Sequence, residues 1–225
     1  MLKKQTINFF CVVSFIFCLW VPLLSFGQKK KAIEGFIVTR ALDTVACLFS
    51  ARNWTKQPFE IKMKLQGKDS LIKPNQIAGF FIPSMDIEYK AREIRSVKYV
   101  INIQEAENGY KPDIDTARYV FIKTLYRGNL SLLMYQDKIE RKHFFVEVGN
   151  EITEIYSHLY SAAGNWHNND PVVEWYKQYI SALKVFMNDC RSVYSLIDVM
   201  ELNEASLLQL FKTYDYCLRS NSQQN

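Results

Sequence analysis

The side chains best suited to chemistry in this chain are three histidines and a few carboxylates. His143, His158 and His167 each lack a second histidine or a cysteine at the spacing of a zinc site. His167 has the most suggestive surroundings, because Trp166 and Asp170 lie in the same short polar loop. Such a loop either binds a ligand or caps the helix that follows it. His143 is predicted to be a solvated side chain on a strand face.

The carboxylates Asp113 and Asp115 flank an isoleucine in a polar loop. Two carboxylates are too few for a calcium site built from protein alone, so a solvated loop is predicted. The sequence contains no nucleophile elbow, no phosphate-binding glycine loop and no Cys/His nucleophile pair. We therefore predict no metal, no other cofactor and no catalytic residue. The alternative is a dispersed active site that uses Asp113, Asp115 or His167.

Aromatic side chains could line a surface that binds a sugar or a peptide. The candidates are Trp54, Trp166, Trp175 and Tyr179. Most aromatic side chains pack in cores, and core packing is the simpler expectation here.

The first 27 residues have the pattern of a secretory signal peptide. Lys3 and Lys4 precede an apolar run over 9–24, and small residues at Ser25 and Gly27 suit cleavage before Gln28. An uncleaved membrane anchor is the alternative. Cleavage lowers the formal net charge from +5 to +3, which is too small for a nucleic-acid footprint. A periplasmic, outer-membrane-associated or secreted location is predicted.

Three cysteines remain after the predicted cleavage, and export favours their pairing. Cys190 and Cys217 each end a predicted helix, so a disulfide between them is predicted. Cys47 faces inward on a predicted strand and is expected to be a buried free thiol.

The mature chain indicates strands first and helices last. The β-rich region is predicted over 28–161 and a helical region over 162–217, followed by a polar tail over 218–225. One helix should begin at the Asp170 cap with Pro171 at its first position and run to Cys190. Asn203 should cap a second helix ending near Cys217. The predicted strands are 36–39, 45–49, 61–65, 71–73, 79–82, 97–103, 118–126, 130–135, 142–148 and 151–160.

These elements predict an α+β fold. An antiparallel sheet or a partly closed barrel should come first, followed by two disulfide-linked helices on one face. A polar loop is expected over 104–115.

Several segments resemble a family of uncharacterised exported proteins from Bacteroidota. Its longer members carry a C-terminal outer-membrane β-barrel, which this chain lacks. The resemblance implies neither a known activity nor catalytic residues. It rests on Gly35–Thr39, Asp43–Val45, Arg52–Trp54, Pro74–Phe80, Lys142–Phe145, Asp189–Cys190 and Leu210–Tyr214.

Three tripeptides also match the Asp-Ser/Thr-aliphatic acceptor that this lineage uses for O-glycosylation. The predicted sites are Thr44, Ser70 and Thr116.

The sequence thus favours a non-enzymatic, exported binding or accessory protein of the cell envelope. Its partner would be an envelope protein or a glycan and not a nucleic acid. Membrane association would come through that partner or through an uncleaved N-terminal segment. A small secreted hydrolase is the alternative.

Overall fold

A computed structural model describes residues 32–54, 56–98, 103–107, 113–162 and 172–222. From Ile33 onward the chain forms one compact unit. The predicted signal segment and the predicted ligand loop with Trp166, His167 and Asp170 lie outside the described residues.

The main element is an open antiparallel sheet of ten strands. The strands are β1 (Ile33–Val38), β2 (Thr44–Phe49), β3 (Ile61–Leu65), β4 (Lys68–Ile72), β5 (Gly79–Ile82), β6 (Ile87–Ile94), β9 (Arg118–Tyr126), β10 (Ser131–Gln136), β11 (Lys142–Val148) and β12 (Glu151–Ile155). They lie in the order β12-β11-β10-β9-β6-β5-β1-β2-β3-β4. Neighbouring strands are mostly consecutive in the chain, as expected for strands joined by short turns, and only the β1–β5 and β6–β9 pairings of this sheet join strands that are not consecutive.

Two small strand pairs lie outside this sheet. β7 (Val97–Lys98) pairs with β8 (Asp113–Ile114), and β13 (His158–Ala162) pairs with β14 (Val172–Tyr176). The α-helices are α1 (Ile103–Glu107), α2 (Gln178–Phe186), α3 (Tyr194–Val199) and α4 (Glu204–Ser222). Short 3-10 turns occupy Pro74–Gln76, Pro83–Met85 and Arg191–Val193. None of the helices in the described part of the chain has the length and apolarity that crossing a membrane requires.

One face of the sheet carries most of the core, and we call it the helical face. Helices α2 to α4 cover its β10–β12 end, where Leu132, Phe144, Leu183 and Leu210 are buried. A second buried cluster on the same face includes Phe49 and Phe80. Because alternate strand residues point to one side, these apolar positions recur every second residue.

The opposite face, which we call the charged face, is different. It holds a smaller apolar cluster that includes Ile122 and Phe145, together with charged side chains. Lys90 on β6 pairs with Glu147 on β11, although β9 and β10 lie between these strands. In a flat sheet these strands would be about 14 Å apart, so the sheet must curve strongly for the pair to form.

The C-terminal helices are fixed by a disulfide between Cys190 and Cys217, whose Cα atoms are 6.3 Å apart. The predicted bridge is therefore present. Cys47 is buried and free, also as predicted. Asn203 caps α4, accepting a hydrogen bond from the Ser206 N–H at 2.9 Å.

Several predicted elements differ from the structure. Val172–Tyr176 is the strand β14 and not the start of a helix, because its pairing with β13 outweighs the cap signal. The sequence patterns did not indicate β6. β8 lies within the predicted polar loop over 104–115, and α1 begins at Ile103, the last residue of the predicted strand 97–103, and continues into that loop. Three helices follow β14 in place of two, and α4 continues past Cys217 to Ser222.

Candidate functional site

An irregularity in β9 creates a cleft between two neighbouring strands of the main sheet. β9 pairs with β6 only as far as Lys123, opposite Tyr89. Beyond that point β9 follows β10, and the register shift there leaves Leu125 as an extra, bulged residue. β6 meanwhile stays paired with β5 down to Ile87. A bulge bends its strand and increases the local twist, so the two strands separate and leave a wedge between them.

The wedge is an open cleft of about 570 Å³. That volume falls in the range of small-ligand sites. Polar and apolar side chains share its wall, which consists of Val38, Phe81, Ile82, Pro83, Asp86, Ile87, Glu88, Thr124, Leu125, Tyr126 and Arg127.

An ion pair joins the two sides of the cleft. Arg127 Nε donates to Glu88 Oε2 at 2.8 Å, and a second guanidinium nitrogen contacts the other carboxylate oxygen. The hydrogen bond to Glu88 raises the pKa of Arg127, and Asp86 and Glu147 add to this against the opposing effect of burial. The Arg127 side chain is 64% exposed, whereas the Glu88 side chain is 24% exposed. Arg127 is therefore the partner that a ligand meets first.

A second group of charges lies next to this pair on the charged face. Glu147 has only 4% of its side chain exposed and lies between Lys90 and Arg92, with Arg92 Nη2 3.3 Å from its carboxylate. A buried carboxylate without partners would be strongly destabilising, so the two cations are needed to retain it there.

The turn that carries Arg127 is held by the C-terminal helix. Asp215 on α4 accepts hydrogen bonds from the Tyr126 hydroxyl at 2.7 Å and from the Asn129 N–H at 3.2 Å. Gly128 lies so close that a Cβ atom there would be 2.0 Å from Asp215 Oδ2. Together with burial, Asp215 raises the pKa of Tyr126. Asp215 thus holds Tyr126 and Asn129, the residues on either side of Arg127 and Gly128.

A polar network around His143 lies elsewhere on the charged face. The prediction that His143 is a solvated side chain is wrong, because only 2% of it is exposed. Its Nδ1 lies 2.7 Å from Glu154 Oε1, and its Nε2 lies 3.5 Å from Asp137 Oδ2. β11 is a central strand covered on both faces, which the continuous apolar run after His143 could have indicated.

The partners of His143 have structural tasks of their own. Glu154 accepts a hydrogen bond from the Val97 N–H at 2.7 Å and so attaches β7 to the main sheet. Asp137 closes the β10–β11 turn by accepting from the Ile139 and Arg141 N–H groups. Burial alone would raise the pKa of Asp137, but the Arg141 backbone, the His143 ring and the Arg141 guanidinium hold that pKa below its usual value. We assign this network to fold stability.

The aromatic candidates divide between core and surface. Trp54 and Tyr179 are buried at 3% and 2% exposure, whereas Trp175 on β14 is 53% exposed.

His158 lies between the rings of Tyr156 and Tyr176, and burial lowers its pKa.

The remaining predicted residues do not meet at one site. Asp113 is exposed and accepts from its neighbour's N–H, while Asp115 pairs with Arg118 at 3.4 Å. Among the predicted O-glycosylation sites Thr44 and Thr116 are exposed and Ser70 is half-buried, so their modification stays a prediction. The described residues contain no cluster of three metal-type ligands.

The cleft residues were not identified from the sequence. The charges at Glu88, Lys90 and Arg92 alternate with apolar residues, which is a strand signal with one charged face. That signal could have revealed β6, but it does not reveal the separation of β6 from β9.

Comparison of this chain with protein-family models, with curated proteins and with solved structures gave no match.

Proposed function

We propose that this protein is an exported binding or accessory protein of the cell envelope and that its partner binds in the cleft between β6 and β9. The N-terminal sequence pattern and the disulfide between Cys190 and Cys217 favour an oxidising compartment outside the cytoplasm.

One observation carries the choice of surface. The cleft is built from a bulged strand, and its exposed Arg127 lies in a turn whose two ends, Tyr126 and Asn129, are hydrogen-bonded to Asp215. Binding sites need side chains fixed by supporting contacts, because an ordered site loses less entropy when its ligand binds.

Photo-crosslinking tests this proposal directly. Phe81 lines the cleft and is partly exposed, so p-benzoylphenylalanine at this position retains an aromatic ring there. The same probe replacing Tyr216, which is 70% exposed on α4, is the matched control. In intact envelopes the Phe81 probe should give a defined adduct that the Tyr216 probe does not give. Equal adducts from both positions, or none from Phe81, would reject the cleft as the binding surface.

Cell fractionation tests the compartment separately. The mature protein should be recovered from the envelope or the medium with Gln28 at its N-terminus. Recovery of the full-length chain from the cytoplasm would overturn the proposed location.

A further inference from the structure

We infer that the cleft between β6 and β9 binds a short, uncharged saccharide. This inference rests on the proposed function and specifies the ligand of the same site.

The charge balance in and beside the cleft points to an uncharged ligand. The wall holds Asp86, Glu88 and Arg127, and next to it Glu147 lies between Lys90 and Arg92, so acids and bases are equal in number. Glu88 pairs with Arg127, and Glu147 pairs with both Lys90 and Arg92. An anionic or cationic ligand would have to break these pairs without a net opposite charge to compensate it.

The hydrogen-bonding groups of the cleft fit hydroxyls. Arg127 offers donors beside the acceptors of Glu88, so a group that both donates and accepts can join the pair without removing either partner. Every sugar hydroxyl has that property, and hydrogen bonds to ionised groups are the stronger kind. Thr124 Oγ1 is buried beside the cleft and has no hydrogen-bond partner among the described residues. The Thr124 side chain lines the cleft, so a rotation about its Cα–Cβ bond would let a ligand hydroxyl satisfy this oxygen.

The apolar part of the wall fits the C–H face of a sugar ring. Phe81 stacks on Phe36 with ring centroids 4.8 Å apart, which holds its ring in place. Val38 and Pro83 add apolar surface to the same wall. A pyranose has an apolar face bordered by hydroxyls, so one ring can contact both parts of the wall at once.

Calorimetric titration of the protein recovered from the envelope fraction tests the inference. The probes are neutral malto-, cello-, manno- and xylo-oligosaccharides, with oligogalacturonates as the anionic series and a casein digest as the peptide series. At least one neutral series should bind, and its Kd should change less than about twofold between low and high salt, because no net charge is neutralised.

Conservative variants locate the binding. Thr124→Val removes the hydroxyl at nearly constant volume and should weaken binding about fivefold, as expected for one lost hydrogen bond. Glu88→Gln removes the charge-assisted acceptor and should weaken it by about tenfold or more. Asp198→Asn is the control, because Asp198 is a half-exposed carboxylate that pairs with Lys184 on the C-terminal helices. It should leave the Kd unchanged, and thermal melts should show that all three variants are folded.

The outcomes separate the two proposals. Absence of binding to every neutral series, binding only to the anionic or peptide series, or equal binding by Thr124→Val, Glu88→Gln and wild type would overturn the saccharide inference. If the Phe81 probe still captured a defined polypeptide, the proposed function would stand. Failure of both experiments would reject both.

Discussion

Replacement of Gly128 by alanine tests the contact between the C-terminal helix and the turn that carries Arg127. The new methyl group would lie 2.0 Å from Asp215 Oδ2, 2.7 Å from its Cγ and 2.8 Å from a ring carbon of Tyr126. The φ angle of Gly128 is outside the left-handed region, so the cost comes from this crowding and not from backbone strain. Asp215 cannot move away freely, because Tyr126 and Asn129 donate to its carboxylate.

The magnitude follows from three contributions. Overpacking of this kind costs about 1–3 kcal/mol. Displacing the carboxylate weakens hydrogen bonds to a charged acceptor, each worth about 1.5–3 kcal/mol when fully lost. Alanine has less conformational freedom than glycine in the unfolded chain, and this offsets the loss of stability by about 0.4–1 kcal/mol. We expect Gly128→Ala to lower the free energy of unfolding by about 2–3 kcal/mol.

A double-mutant cycle followed by urea unfolding provides the test. In an Asp215→Ala background the carboxylate is absent, and the Tyr126 ring, no longer hydrogen-bonded to it, can shift away from the new methyl group. Gly128→Ala should then be neutral or stabilising by about 0.5 kcal/mol, the unfolded-chain effect alone. Gly149→Ala is the control: its φ is 60° and no atom would approach its Cβ within 4 Å. Its cost should be the same in both backgrounds. Additive effects of Gly128→Ala and Asp215→Ala would refute the reasoning.

Three further predictions concern the framework of the fold. Gln57 is 7% exposed, and its side-chain amide donates to the Phe121 carbonyl of β9 and accepts from the Gln136 N–H of β10. Gln57→Leu should therefore lower the free energy of unfolding by about 1–3 kcal/mol in urea titrations. An unchanged urea midpoint would contradict this role of Gln57. Cys190→Ser with Cys217→Ser opens a loop with a sequence separation of 27 residues and should cost about 3–4 kcal/mol, and reductant should then have no further effect on the melting temperature. Since the folded-state pKa of Asp137 is lowered, its ionised form stabilises the fold above about pH 4 and that contribution is lost as the pH falls through the folded-state pKa. Asp137→Asn should therefore flatten the acid side of the stability profile, and an unchanged acid limb would contradict this assignment.

Local patterns predicted much of the sheet. Period-2 alternation and short turns indicated the β1–β2 hairpin and the run from β9 to β12, which the structure contains. The helix cap signal at Asp170 and Pro171 failed because Val172–Tyr176 pairs with β13, a contact that local propensity does not encode. The buried position of His143 depends on the coverage of both sheet faces, which is a tertiary property.

The cleft could not be predicted for a related reason. It depends on a bulge at Leu125, whose residue type carries no distinctive signal. It also depends on Asp215 reaching Asn129, which lies 86 residues earlier in the chain. Neither contact follows from residue spacing. Cys190 and Cys217, by contrast, lie in the C-terminal helical part of the chain, which the sequence indicates, and their pairing could be predicted.

The strand order has a consequence for how the molecule comes apart. Strands β1 to β6 and strands β9 to β12 are two largely self-contained blocks of local hairpins, and the sheet is continuous between them only through β6 and β9. The cleft lies at the end of that joint, where pairing has already stopped at Tyr89 and Lys123. A molecule bound there contacts both blocks, so its binding free energy stabilises the β6–β9 pairing that connects them. The protein would then resist the separation of its two halves most strongly when it is occupied.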